Sequence, residues 1–104
     1  MAKRVLINWT NPALDSLLEI VCHIKLDNPL AAQRFAASVK TKVTRLKNFP
    51  ESGRIVPEFP FSGLREIIIK DYRVIYHVRR NPLRVEIVAV RHGARLLDRP
   101  SDDS

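Results

Sequence analysis

Three β-type runs stand back to back in the second half of the chain, at Leu64–Ile69, Tyr72–Arg79 and Arg84–Arg91. The connections between them are too short for anything but hairpins. Lys70-Asp71 leaves room for a two-residue turn, and Arg80-Asn81-Pro82-Leu83 for a four-residue one. Consecutive strands joined so tightly must run antiparallel. In the middle run Tyr72, Val74, Tyr76 and Val78 share one face, while Arg73, Ile75, His77 and Arg79 share the other. This is the period of a half-buried strand.

The first half is punctuated differently. Val5–Trp9 is a short apolar run that reads as a strand, closed by Asn11-Pro12 as N-cap and first helical residue. Leu14, Leu17, Leu18, Val21 and Ile24 then recur at helical spacing, to about Leu26. Asp27-Asn28-Pro29 supplies a break, a cap and a restart. The second helix buries Ala32, Phe35, Ala36, Val39, Val43 and Leu46, turns Arg34, Lys40, Lys42, Arg45 and Lys47 outward, and ends by Pro50. Glu51–Gly63 contains Pro57, Pro60, Gly53 and Gly63, so an extended loop is expected. The expected order is βααβββ, an α+β domain with a helical hairpin packed on one face of a small, largely antiparallel sheet and the other face left available. Trp9, Phe35, Phe49, Tyr72 and Tyr76 are expected in the core, Cys22 as a small buried hydrophobe, and His23 and His77 at the surface or rim.

At 104 residues the chain is expected to form one domain over residues 1–95, with a polar tail at 96–104. Eighteen Lys and Arg against eleven Asp and Glu give a net charge of +7. Residues 54–99 carry ten of the basic and five of the acidic side chains. That balance favours an anionic partner without specifying which. A lone Cys22 permits no internal disulfide, and a cytoplasmic setting is expected. Neither a leader nor a membrane span is read in the chain. One cysteine and scattered His23, His77 and His92 do not make a zinc site, so no metal or other cofactor is expected.

Several stretches carry a resemblance. The W-x-x-x-A-x-x-x-L pattern of Trp9–Leu17, DNPLAAQRF at Asp27–Phe35, the loop FPESGRIVPEF, LREIIIKDYRVIYHV and VEIVAVRHGAR together resemble the RelE/ParE toxin superfamily over Val5–Arg95. The resemblance implies the toxin of a bacterial type II toxin–antitoxin module, bound by a small antitoxin in a hetero-oligomer. ParE-like members, the plasmid-stabilisation branch, poison DNA gyrase; RelE-like members cleave mRNA on the ribosome. The GR-x-VPE loop and the HGAR ending look more like the ParE-like branch, and gyrase is the expected target. A third alternative is an inactive member that only binds antitoxin and assists repression.

If the chain is RelE-like, the resemblance places Glu58, Arg73 and His92 as its catalytic residues. Metal-free RNA cleavage needs a base, an acid and a cation on the phosphorane, which such a set can supply. Against that, no aromatic residue follows His92, so a surface for stacking a base is missing there. Bland roles stand beside these: Glu58 pairing with an arginine or capping a turn, His92 in a structural hydrogen bond. Arg54, Arg65, Arg91 and Arg95 are the expected target-contact residues. Alternation is read as placing Arg65 and Arg73 together on the face away from the helices.

Overall fold

The chain threads a five-stranded mixed sheet with two helices on one side, and the computed structural model describes residues 5–93. The elements are β1 (Leu6–Trp9), α1 (Asn11–Asp27), α2 (Pro29–Thr44), a 3-10 turn (Arg45–Lys47), β2 (Arg54–Ile55), β3 (Leu64–Ile69), β4 (Tyr72–Arg79) and β5 (Arg84–His92). In space the order is β1-β5-β4-β3-β2. β1 lies parallel to β5 and the other pairs are antiparallel. The expected βααβββ architecture is therefore present, with the two-residue β2 added from within the Glu51–Gly63 loop.

The helix starts follow from their caps. Thr10, not Asn11, caps α1: its hydroxyl accepts from the Ala13 N–H at 3.3 Å and donates to the Ile87 carbonyl at 2.8 Å, so the helix start is fastened to β5. Asn28 caps α2 by accepting from the Ala31 N–H at 3.0 Å. Each helix then takes proline in its first turn, where the missing N–H is harmless.

α2 buries Ala32, Phe35, Val39 and Val43, and Leu46 follows in the 3-10 turn. These meet Ile69, Val74, Tyr76, Val85, Ile87 and Val90 from the sheet. α1 is held more lightly. Only Ala13 is fully buried, with Leu17, Ile20, Val21 and Ile24 packed against the core, while Leu14 and Leu18 face outward. Three burial expectations fail: Ala36 is exposed on α2, Phe49 is exposed just past the 3-10 turn, and Cys22 is exposed because α1 presents it to solvent.

β4 and β5 pair with a register shift between Ile75 and Tyr76. Tyr76 opposes Ile87, but Ile75 opposes Ala89, so Val88 is the extra residue of a β-bulge. The bulge reverses the parity of β5. Val85, Ile87 and then Val90 point to the helices, rather than Ala89. The rest of the strand inherits the shift: Arg91 opposes Arg73 and His92 opposes Tyr72. Among the described residues no helix is long and apolar enough to cross a membrane.

Candidate functional site

Arg73 is the centre of the polar structure on the sheet face away from the helices. The two-residue connection between β3 and β4 sets their register, so Ile69 opposes Tyr72, Ile68 opposes Arg73 and Glu66 opposes Ile75. That face carries Glu66, Ile68, Arg73 and Ile75. It is not left open, as the sequence suggested. Val56 is fully buried and donates its N–H to the Leu64 carbonyl at 3.1 Å, drawing the loop that follows β2 onto this face. Glu66 retains 1% of its exposure and Arg73 5%, and Ile75 is buried with them.

Charges so deeply placed need partners, and they form a chain of four. Glu58 reaches from the loop and grips Arg73 fork to fork, with Nη1 to Oε1 at 2.9 Å and Nη2 to Oε2 at 2.8 Å. Glu66 takes Arg73 Nη1 on one oxygen at 3.1 Å and Arg54 Nε on the other. Two cations and two carboxylates alternate, so the cluster is formally neutral. The Arg73 pKa is pushed further above its ordinary value, first by the hydrogen bond to Glu58 and then by the charges of Glu66 and Glu58, against an opposing desolvation.

The sequence-derived residues thus separate into groups. Glu58 and Arg73 are brought together, as the RelE-like alternative requires. Both carboxylate oxygens of Glu58 are bound to Arg73, however, and a phosphate approaching Arg73 would have to displace them. His92 belongs to the other face: its ring meets that of Tyr72 edge-on at 5.2 Å, and Tyr72 in turn meets Phe35 of α2 at 5.0 Å. Arg91 is exposed on the Arg73 face. Arg65 corrects its expectation. It opposes Tyr76, which places it on the helix-side face, where Nη1 donates to the Gly53 carbonyl at 2.8 Å. Arg54 is half exposed and bound to Glu66. Arg95 lies outside the described residues. Glu66 was missed as a candidate, although it is the one acidic residue in a run of isoleucines, a place where a carboxylate needs a buried cation.

Tyr76 fixes the loop from beneath. Its fully buried hydroxyl accepts the Gly53 N–H at 2.8 Å. Burial pushes its pKa above the ordinary 10.0, and the Gly53 hydrogen bond only partly offsets this. The folded protein therefore keeps the phenolic proton at a pH where the unfolded chain has lost it, and stability falls as pH rises above about 10. Tyr76→Phe should flatten that alkaline limb in urea denaturation measured between pH 8 and 11. A limb unchanged in the variant would assign the loss to other groups.

A second concave feature lies at the far edge of the sheet. Ile7 and Trp9 of β1, Leu14 and Leu17 of α1, and Val39 and Val43 of α2 line an apolar groove of about 410 Å³, rimmed by Lys40 and Lys47. Among the described residues no group of three or more metal-binding side chains occurs.

Residues 7–97 match the family described as the ParE toxin of the type II toxin–antitoxin system, parDE. Toxin RelE2 of Caulobacter vibrioides is 40% identical over 88 residues, covering 85% of this chain and 94% of that protein. A solved chain of the chromosomal ParDE system from P. aeruginosa superposes with a TM-score of 0.71 at 17% identity, covering 88% of this chain and 98% of the other. A chain of the RelBE2 toxin–antitoxin complex from Mycobacterium tuberculosis gives 0.61 at 20% identity, covering 86% and 98%. At these identities the two structures speak for the fold.

Proposed function

The chain belongs to the ParE toxin family of type II toxin–antitoxin systems, within the RelE/ParE superfamily, and on that premise we propose that it poisons DNA gyrase by protein–protein contact. The observation that carries this reading is the closed Glu58–Arg73–Glu66–Arg54 cluster. A ribonuclease of the Glu–Arg–His type needs a carboxylate ready to take the 2′-hydroxyl proton and an arginine ready to receive phosphate. Here those two groups satisfy each other, and His92 packs on Tyr72 across the sheet. The set serves the fold better than it serves catalysis.

The partner that restrains the toxin is an antitoxin. The groove between β1, α1 and α2 suits an amphipathic helix that buries an apolar stripe and offers carboxylates to Lys40 and Lys47. The name of the Caulobacter relative, Toxin RelE2, and the adjacency of Glu58 and Arg73 favour the second reading, a ribosome-dependent mRNA endoribonuclease.

One pair of assays separates the two. Purified protein added to gyrase and relaxed plasmid should block supercoiling and accumulate cleaved DNA complexes. The same protein in cell-free translation should leave the message uncut by primer extension. Ribosome-dependent cuts together with unaffected gyrase would reverse the assignment.

A further inference from the structure

Residues 28–50 hold five cations, Arg34, Lys40, Lys42, Arg45 and Lys47, and no acidic residue. A solvated helix ordinarily offsets such a run with carboxylates three or four positions away. α2 has none to offer. Lys42 in its last turn and Arg45 at its C-cap are three apart, adjacent on one side of the helix, where like charges repel. Attraction to the last carbonyls of the helix accounts for these two cations, but not for a third brought in from β2.

That third cation is Arg54. With Lys42, Arg45 and Ser52 it lines a cleft of about 330 Å³ between the end of α2 and the strands β2 and β3. Glu66 also borders the cleft, but its side chain is fully buried and commits both oxygens to Arg54 and Arg73. Arg54 answers it with Nε alone, and its side chain is 59% exposed, so both terminal nitrogens remain to donate. Among the described residues neither Lys42 nor Arg45 is in an ion pair, and the Ser52 hydroxyl takes no partner. Three cations and a hydroxyl converge on one opening, and the one carboxylate there is engaged from within.

We propose that this cleft binds a backbone phosphate of duplex DNA, adding a nucleic-acid contact to the toxin's grip on gyrase. This rests on the gyrase reading above, which places DNA beside the bound toxin. A phosphate is the group that fits: it is anionic, offers several acceptor oxygens and matches the forked donors of arginine. At roughly 30 Å³ for each water of the liquid, the cleft has room for a phosphate and part of its hydration. The cationic surface continues along α2, which favours a polymer over a free ion. Arg34 lies eleven residues before Arg45, on the same side of the helix and about 16 Å away. It is exposed and unpaired among the described residues, placed for a second phosphate of the same duplex. The net charge of +7 draws the duplex in, and the cleft fixes where it rests.

Fluorescence anisotropy of a labelled DNA duplex, titrated with the purified protein at several salt concentrations, tests the site. The double variant Lys42→Gln with Arg45→Gln should bind about tenfold more weakly and lower the slope of log K against log salt by about 1, the signature of one lost phosphate contact. Both side chains are exposed, so its thermal midpoint should match wild type. Lys25→Gln removes an exposed cation near the end of α1, far from the cleft, and should bind as wild type does. Gyrase inhibition by the double variant should fall in step with its DNA affinity, and it should still co-purify with the antitoxin. Equal losses from Arg45→Gln and Lys25→Gln would assign binding to net charge and overturn the proposal. A double variant that binds DNA as wild type does also overturns it, and inhibition of supercoiling by wild type would still uphold the gyrase reading. Undiminished gyrase inhibition by a double variant that has lost DNA overturns it too. If wild type spares gyrase and the double variant nonetheless loses DNA, the gyrase reading fails and the cleft stands as a DNA site. Loss of single-stranded RNA binding with duplex binding retained makes the cleft an RNA contact and overturns the proposal. So does loss of antitoxin co-purification alone, since the cleft would then meet an antitoxin carboxylate.

Discussion

Arg73→Ala should destabilise the protein by about 3–5 kcal/mol in urea denaturation, the usual cost of removing one member of a buried ionic set. Arg73 is 5% exposed and serves two carboxylates, Glu58 with both oxygens and Glu66 with one. Alanine leaves Glu58 without its fork partner and Glu66 with Arg54 alone, in a place where water cannot replace the lost bonds. For a domain of this size each kcal/mol moves the thermal midpoint by roughly 4–8 °C, so the variant approaches unfolding at growth temperature. A double variant, Arg73→Met with Glu58→Met, removes a cation and a carboxylate together and should recover a good part of the loss. A single variant within 1 kcal/mol of wild type would show that the cluster contributes little. The result also governs how toxicity assays are interpreted: an inactive Arg73→Ala protein says nothing about catalysis until its folding has been measured.

Gly53→Ala should be nearly as damaging, at about 3 kcal/mol, toward the upper end of what overpacking costs. A Cβ at Gly53 would stand 2.6 Å from the Tyr76 hydroxyl, 2.7 Å from the Glu66 carbonyl and 2.8 Å from Tyr76 Cε1. Relief would have to come from backbone and from a fully buried tyrosine, because no flexible chain end is involved. Gly53 also donates its N–H to Tyr76 and its carbonyl receives Arg65, so displacement disturbs the start of the loop that delivers Glu58. The equilibrium midpoint in urea reports this directly, and a shift below 1 kcal/mol would mean that the strand edge yields more easily than the distances indicate.

Much of the fold is legible in the chain because its signals are local. Proline after Thr10-Asn11 and after Asn28 starts both helices, and the apolar spacing from Ala32 to Leu46 writes out the buried face of α2. A local signal was also passed over. A two-residue turn at Lys70-Asp71 forces residue 65 to oppose residue 76, and that pairing alone sends Arg65 to the helix side with Tyr76. The run Ile67-Ile68-Ile69 has no alternation, so β3 by itself does not reveal which face Arg65 takes.

Element order, the hairpins, the two capped helices and a cationic chain of toxin-like pattern all follow from local sequence. Which side chains meet depends on long-range packing. Alternation assigns a face only along an unbroken ladder, and the extra Val88 reverses it, parting His92 from Arg73 and setting Arg91 beside it. The pairing of Glu58 with Arg73 spans fifteen positions and exists because Val56 finds a buried place across the sheet, an outcome of packing that no short window of sequence contains.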